Sequence, residues 1–76
     1  MSWNYRVIKH HGPKDTAWYG IHEVHYEGGK PCLWAERPEL RADTLEELLR
    51  FTGANLVLEA GRLKRRVLDE AEMPEE

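Results

Sequence analysis

The segment Asp43-Thr44-Leu45-Glu46-Glu47-Leu48-Leu49 divides this chain into two unlike halves. Before it the residues read as strands and turns; after it they read as helix and then dense charge. Thr44 can act as an N-cap, its hydroxyl oxygen accepting from a free backbone N–H of the first turn. Glu47, three residues on, can reach back to the Thr44 N–H and complete a capping box. Glu46 and Glu47 also place negative charge where the helix dipole favours it. Leu45, Leu48 and Leu49, continued by Thr52, Leu56 and Ala60, form an apolar stripe at helical spacing. A main helix over about 45–60 is therefore predicted. Gly53 interrupts it at a cost of about 1 kcal/mol relative to alanine. A second reading ends the helix near Thr52 and makes Leu56-Val57-Leu58-Glu59 a fourth strand. With no proline in the way, the single helix is preferred. Gly61 suits a C-cap, and a short C-terminal helix over about 62–71 would put Leu63, Val67 and Leu68 on one face.

Upstream, alternation predicts three strands over about 3–10, 17–27 and 31–36. In the first, Trp3, Tyr5 and Val7 share one face, and Asn4, Arg6, Ile8 and His10 share the other. His11-Gly12-Pro13-Lys14-Asp15-Thr16 is a turn. In the second strand Trp18, Gly20, His22, Val24 and Tyr26 oppose Tyr19, Ile21, Glu23, His25 and Glu27. Large apolar groups on both faces imply that both are covered, one by the helix and the other in part by a second copy or a partner. Gly28-Gly29 supplies the positive φ of a tight hairpin, and Pro31 suits the start of an edge strand. The expected fold class is α+β: a three-stranded antiparallel meander packed against one main helix, as a single domain over 1–71. Residues 72–76 should be a disordered acidic tail.

A chain of 76 residues has a thin core, which oligomerisation commonly supplements. Its formal charge of −3 argues against nonspecific coating of nucleic acid. One cysteine, Cys32, excludes an intrachain disulfide and suits a reducing compartment. No apolar run approaches a membrane span of about 20 residues, and the N-terminus carries no apolar signal segment. A cytoplasmic protein with no membrane association is the expectation.

The order strand, strand, Gly-containing turn, strand, then Ala42-Asp43-Thr44-Leu45-Glu46-Glu47-Leu48 is similar to the HicB-like antitoxin domain. That family carries a Gly-Asp-Thr-Leu-Glu-Glu-Ala-like segment after its meander. Trp3-Asn4-Tyr5-Arg6-Val7-Ile8, Tyr19-Gly20-Ile21-His22-Glu23-Val24 and Gly29-Lys30-Pro31 also resemble a group of uncharacterised short bacterial proteins. The resemblance covers roughly 3–60. It implies self-association through the sheet and neutralisation of a small basic RNA-cleaving toxin. The chain departs from the family's usual C-terminal DNA-binding module, since the stretch after Ala60 is short and ends in acid.

Several residue sets invite chemistry. His10, His11, His22 and His25 could bind metal, but neighbours on a strand alternate faces, so a site needs one histidine from each of two strands plus a carboxylate such as Glu23. Half-buried sheet histidines are the plainer account, and no metal or cofactor is assigned. Cys32 reads as a small apolar residue. Glu23, Glu27 and Glu36 read as solvated sheet positions, and no catalytic residue is assigned. The cluster Arg62, Lys64, Arg65 and Arg66 reads as a solvated surface offsetting the acidic tail. Trp3, Trp18, Tyr19, Tyr26 and Trp34 could stack on single-stranded bases beside Arg6 and Arg37; core or interface aromatics fit the negative charge better. The sequence therefore points to a non-enzymatic, self-associating protein-binding domain, a homodimer or higher oligomer, with a small basic partner. Interface candidates are Trp18, Tyr19, Ile21, Trp34 and Phe51. The alternative is a single-stranded nucleic-acid binder using the sheet aromatics; a metal-dependent enzyme comes third.

Overall fold

Strong alternation in the N-terminal half yields two long paired strands, β1 (Ser2–His11) and β2 (Ala17–Glu27), which run antiparallel with Val7 opposite Ile21 and His10 opposite Trp18. The structure is a computed structural model that describes residues 2–74. Gly28 and Gly29, with φ of 61° and 80°, turn the chain so that Glu27 faces Lys30 at the start of β3 (Lys30–Trp34). Both values are positive, which a two-residue turn matched to strand twist requires. A second short strand, β4 (Leu40–Ala42), also pairs with β2, at Tyr19–Ile21, beyond the stretch that β3 occupies.

Thr44 then caps α1 (Leu45–Arg50), its Oγ1 accepting from the Glu47 N–H at 3.1 Å. The helix stops after six residues. A 3-10 turn over Thr52–Leu56 comes next, then a small hairpin of β5 (Leu58–Glu59) and β6 (Arg62–Leu63). The chain finally returns to the sheet as β7 (Leu68–Asp69), parallel to β1 at Ile8 and Lys9, and ends in a 3-10 turn over Glu70–Glu72. The main sheet is mixed, ordered β3-β2-β1-β7 with β4 beside β2.

This overturns the α+β expectation of a meander packed on one main helix: among the described residues strands make up 48% and no helix reaches seven residues. The three N-terminal strands fall where alternation puts them. The 45–60 helix fails at Phe51, where the backbone is extended (φ −70°, ψ 144°). Thr52 and Gly53 come directly after, a β-branched residue and the poorest non-proline helix former. A Cβ at Gly53 would also lie 2.7 Å from Leu40 Cδ1, so the bare glycine lets this turn sit against β4. The alternative of a strand after the helix is nearer the structure: β5 takes Leu58 and Glu59.

The 62–71 helix is absent as well. Arg62 and Arg66 would be like charges four apart on one helix face. Asp69 instead caps the final turn: its carboxylate accepts from the Ala71 N–H, and the Glu72 carboxylate accepts from the Asp69 N–H. The complete capping box thus forms here. Of the 72–76 stretch expected as a disordered tail, Met73 is buried and Glu72 pairs with Arg66, while Glu75 and Glu76 lie outside the described residues.

Two cores result, one on each face of the sheet. On the first, Val7 and Ile21 meet Leu48, Ala54 and Val57. On the second, Ile8 and Val24 meet Leu68 and Met73, flanked by Tyr26 and Trp34. Burying an aliphatic side chain of this size contributes about 1.5–3 kcal/mol. Each face of β2 is therefore covered at least in part by the chain itself, the first by α1 and the turn after it and the second by the C-terminal segment. Arg6 helps fasten that segment: Nη2 donates to the Arg66 carbonyl at 2.8 Å and Nη1 to the Tyr26 hydroxyl at 3.0 Å.

Candidate functional site

Strand parity and register bring His10 and His22 onto the second face of the sheet. Arg6 is the cross-strand partner of His22, and Trp18 that of His10, so the two histidines lie diagonally across β1 and β2. Their Nε2 atoms stand 2.9 Å apart. Both rings are buried, His10 6% exposed and His22 not at all. Each Nδ1 has its own acceptor: the Glu70 carboxylate for His10 at 2.9 Å, and the Ala35 carbonyl for His22 at 2.8 Å.

Aromatic rings enclose the pair. Trp18 stacks on His10, with centroids 3.8 Å apart and planes 8° from parallel. The Arg41 guanidinium lies 4.1 Å from the centre of the same Trp18 ring, which leaves it the opposite face. Trp34 stands 5.1 Å from the His22 ring and 5.9 Å from His10. Its indole N–H donates to the Pro74 carbonyl, so the end of the described chain closes the box. Burial is the leading influence on His22 and lowers its pKa below the ordinary 6.5, although the Ala35 hydrogen bond opposes it; the His10 charge adds to the lowering. The Glu70 pKa is also lowered, chiefly because its carboxylate accepts from the His11 backbone N–H, and it stays ionised.

A zinc ion bound tetrahedrally by two imidazoles at about 2.0–2.1 Å would hold the nitrogens roughly 3.3 Å apart. The observed 2.9 Å is a hydrogen-bond distance. Among the described residues no group of three or more His, Cys, Asp or Glu side chains could hold a metal ion. The carboxylate that joins the two-strand histidine pair is Glu70, not Glu23. Glu23 instead accepts from His25 on the opposite face, at 2.8 Å.

The first face carries a different feature. Trp3, His25 and Leu33 are successive cross-strand partners on β1, β2 and β3, and partners directly opposite share a face. Trp3 is 52% exposed and Leu33 54%. Trp3 lies over His25, with centroids 6.1 Å apart, and meets Tyr5 edge-on at 5.4 Å. The result is an exposed aromatic and aliphatic row across three strands.

The interface candidates read from the sequence are scattered. Ile21 is fully buried beneath Leu48, Tyr19 is half-buried beside it, and Trp18 and Trp34 wall the histidine box; Phe51, after α1, is 44% exposed. Sequence reasoning missed Trp3 and Leu33 as exposed neighbours and Glu70 as a partner of His10. Parity alone groups His10 on one face of β1 and Trp18 with His22 on one face of β2; only the register is needed to join them. Cys32 is a half-buried free thiol. Arg66 pairs with Glu72, and Arg62, Lys64 and Arg65 remain exposed. Among the described residues no helix is long and apolar enough to cross a membrane. Compared with known proteins, the chain matches no protein family, no curated protein and no solved structure.

Proposed function

We propose that this chain is a non-enzymatic binding domain of the cytoplasm that self-associates and masks a protein partner, in the manner of a HicB-like inhibitor or accessory subunit. The observation that carries the reading is the exposed row of Trp3, His25 and Leu33. Large apolar side chains that lie next to one another in the open mark interaction surfaces far better than single exposed ones do. Tryptophan is also the residue most enriched among those that dominate binding energy. The net charge of −3 favours a basic partner.

The single-stranded nucleic-acid alternative has less to draw on. Trp18 has one face against His10 and the other against Arg41, and Trp34 packs on His22, which leaves Trp3 as the open tryptophan of the set. The test is light scattering on the chain and on Trp3→Ser/Leu33→Ser, then tagged pull-down at moderate salt with both. The wild type should run at about twice the 8.9 kDa chain mass and retain a small basic protein. The double variant should fall to the chain mass and lose that protein. A wild-type monomer that retains nothing overturns the reading.

A further inference from the structure

We infer that His10 and His22 share a single proton between their Nε2 atoms, and that this charged pair, held by Glu70, latches the C-terminal segment Leu68–Met73 onto the sheet and lets it go when that proton is removed or a second is added.

Hydrogen-bond satisfaction fixes how many hydrogens the two rings carry. A carbonyl can only accept, so His22 Nδ1, 2.8 Å from the Ala35 oxygen, carries a hydrogen. The ionised Glu70 carboxylate can likewise only accept, so His10 Nδ1, 2.9 Å away, carries one too. Two neutral rings would then have no hydrogen left for the Nε2 atoms, and two lone pairs would face each other at 2.9 Å. A third hydrogen between them turns this repulsion into an N–H···N bond. The pair then bears one positive charge.

The surroundings match that charge. Glu70 supplies the counter-charge and is itself fixed by the His11 N–H at 2.7 Å. The flat Trp18 ring against His10 presents its negative π face to a cation. A fourth hydrogen would set two N–H groups against each other, and the burial that lowers the His22 pKa opposes it.

The other charged groups near the pair are engaged elsewhere. From the C-terminal segment, Asp69 pairs with the His11 ring and Glu72 with Arg66. From β1, Arg6 bonds Tyr26 and the Arg66 carbonyl, and Lys9, on the opposite parity, acts on Asp69. From β4, Arg41 lies across Trp18. The neutral Trp34 at the end of β3 and the Ala35 carbonyl directly after it also face the pair. Glu70 opens the last 3-10 turn, directly after β7, so the charge on the pair bears on the whole returning segment.

Two measurements on the intact chain decide the matter. Long-range proton–nitrogen NMR near neutral pH should show three ring N–H groups over the two histidines, both on His10 and Nδ1 alone on His22. Two or four such groups overturn the shared proton, and a one-to-one zinc complex that displaces the Nε2 hydrogen overturns it in favour of a metal. Hydrogen exchange at about pH 5, 7 and 9 should show protection of the Leu68–Met73 amides greatest in the middle and at least about tenfold lower at each end, relative to Ile21 and Val24. Protection that is equal across the range overturns the latch.

Discussion

His22 Nε2 occupies the space that a side chain on Gly20 would enter: a Cβ at position 20 would stand 2.6 Å from it and 3.1 Å from Pro38 Cβ. Neither neighbour is the loose end of a flexible chain, because the ring is fixed at both nitrogens. Gly20→Ala should therefore cost about 1–3 kcal/mol, the range for overpacking a well-filled core. Urea unfolding with the histidine ring signals tracked by NMR checks it. A variant as stable as wild type, with those signals unmoved, would show that the ring does not stand over Gly20.

The short α1 is fastened by Leu48, which is fully buried against Val7 and Ile21, whereas Leu56 is 37% exposed. Leu48→Ala should lose about 2–5 kcal/mol, since it removes buried methyl groups and leaves a cavity. Leu56→Ala should cost far less. Had one helix run over 45–60, both leucines would lie on its buried stripe and the two losses would be alike. Chemical denaturation of the pair thus measures where the helix stops.

That comparison also shows how much was legible in the sequence. Alternation is a local signal with a period of two, so β1 and β2, and the parity that groups His10 with Ile8 and His22 with Gly20, can be read directly. The Gly28-Gly29 turn then sets the β2–β3 pairing. The end of α1 is harder, because the leucine stripe continues past it and the terminating cause, the fit of Gly53 against Leu40, lies across the fold. The C-terminal segment is hardest. It adopts strand through two backbone partners on β1, some sixty residues away in sequence, and nothing within Arg62–Ala71 announces them. The Glu70–His10 bond depends on that return and is illegible without it.

Thr44→Ala should destabilise the fold by about 1 kcal/mol, the usual loss of an N-cap bond. In so short a helix the Glu47 N–H has its bond to Thr44 Oγ1 and little cooperative support from later turns. Thr44→Ser, which keeps the oxygen, should restore most of the loss. Thermal unfolding of the two variants separates the cap from other effects of the position; equal losses would place the cause in the missing methyl group.

Acid should weaken the protein in two steps of different origin. The folded-state pKa of His22 lies below its ordinary 6.5, with burial the main cause, so the unfolded chain takes up this proton first. Its contribution is complete above about 6.5 and is lost as pH falls below that. The carboxylates act lower. Glu72, held at about 2 against an ordinary 4.5 first by Arg66 and then by the Asp69 N–H, contributes above about 4.5 and loses that contribution as pH falls toward 2. Glu70 and Asp69 are displaced in the same direction, each chiefly by a backbone N–H donor. Glu72→Gln should therefore shrink the fall in urea midpoint between about pH 4.5 and pH 2 while leaving the fall that begins near 6.5 in place. The side chain is well exposed, so added salt should weaken its contribution through screening. Midpoints measured across the range for wild type and variant test both steps, and a variant that flattens the upper one instead would assign it to Glu72 rather than His22.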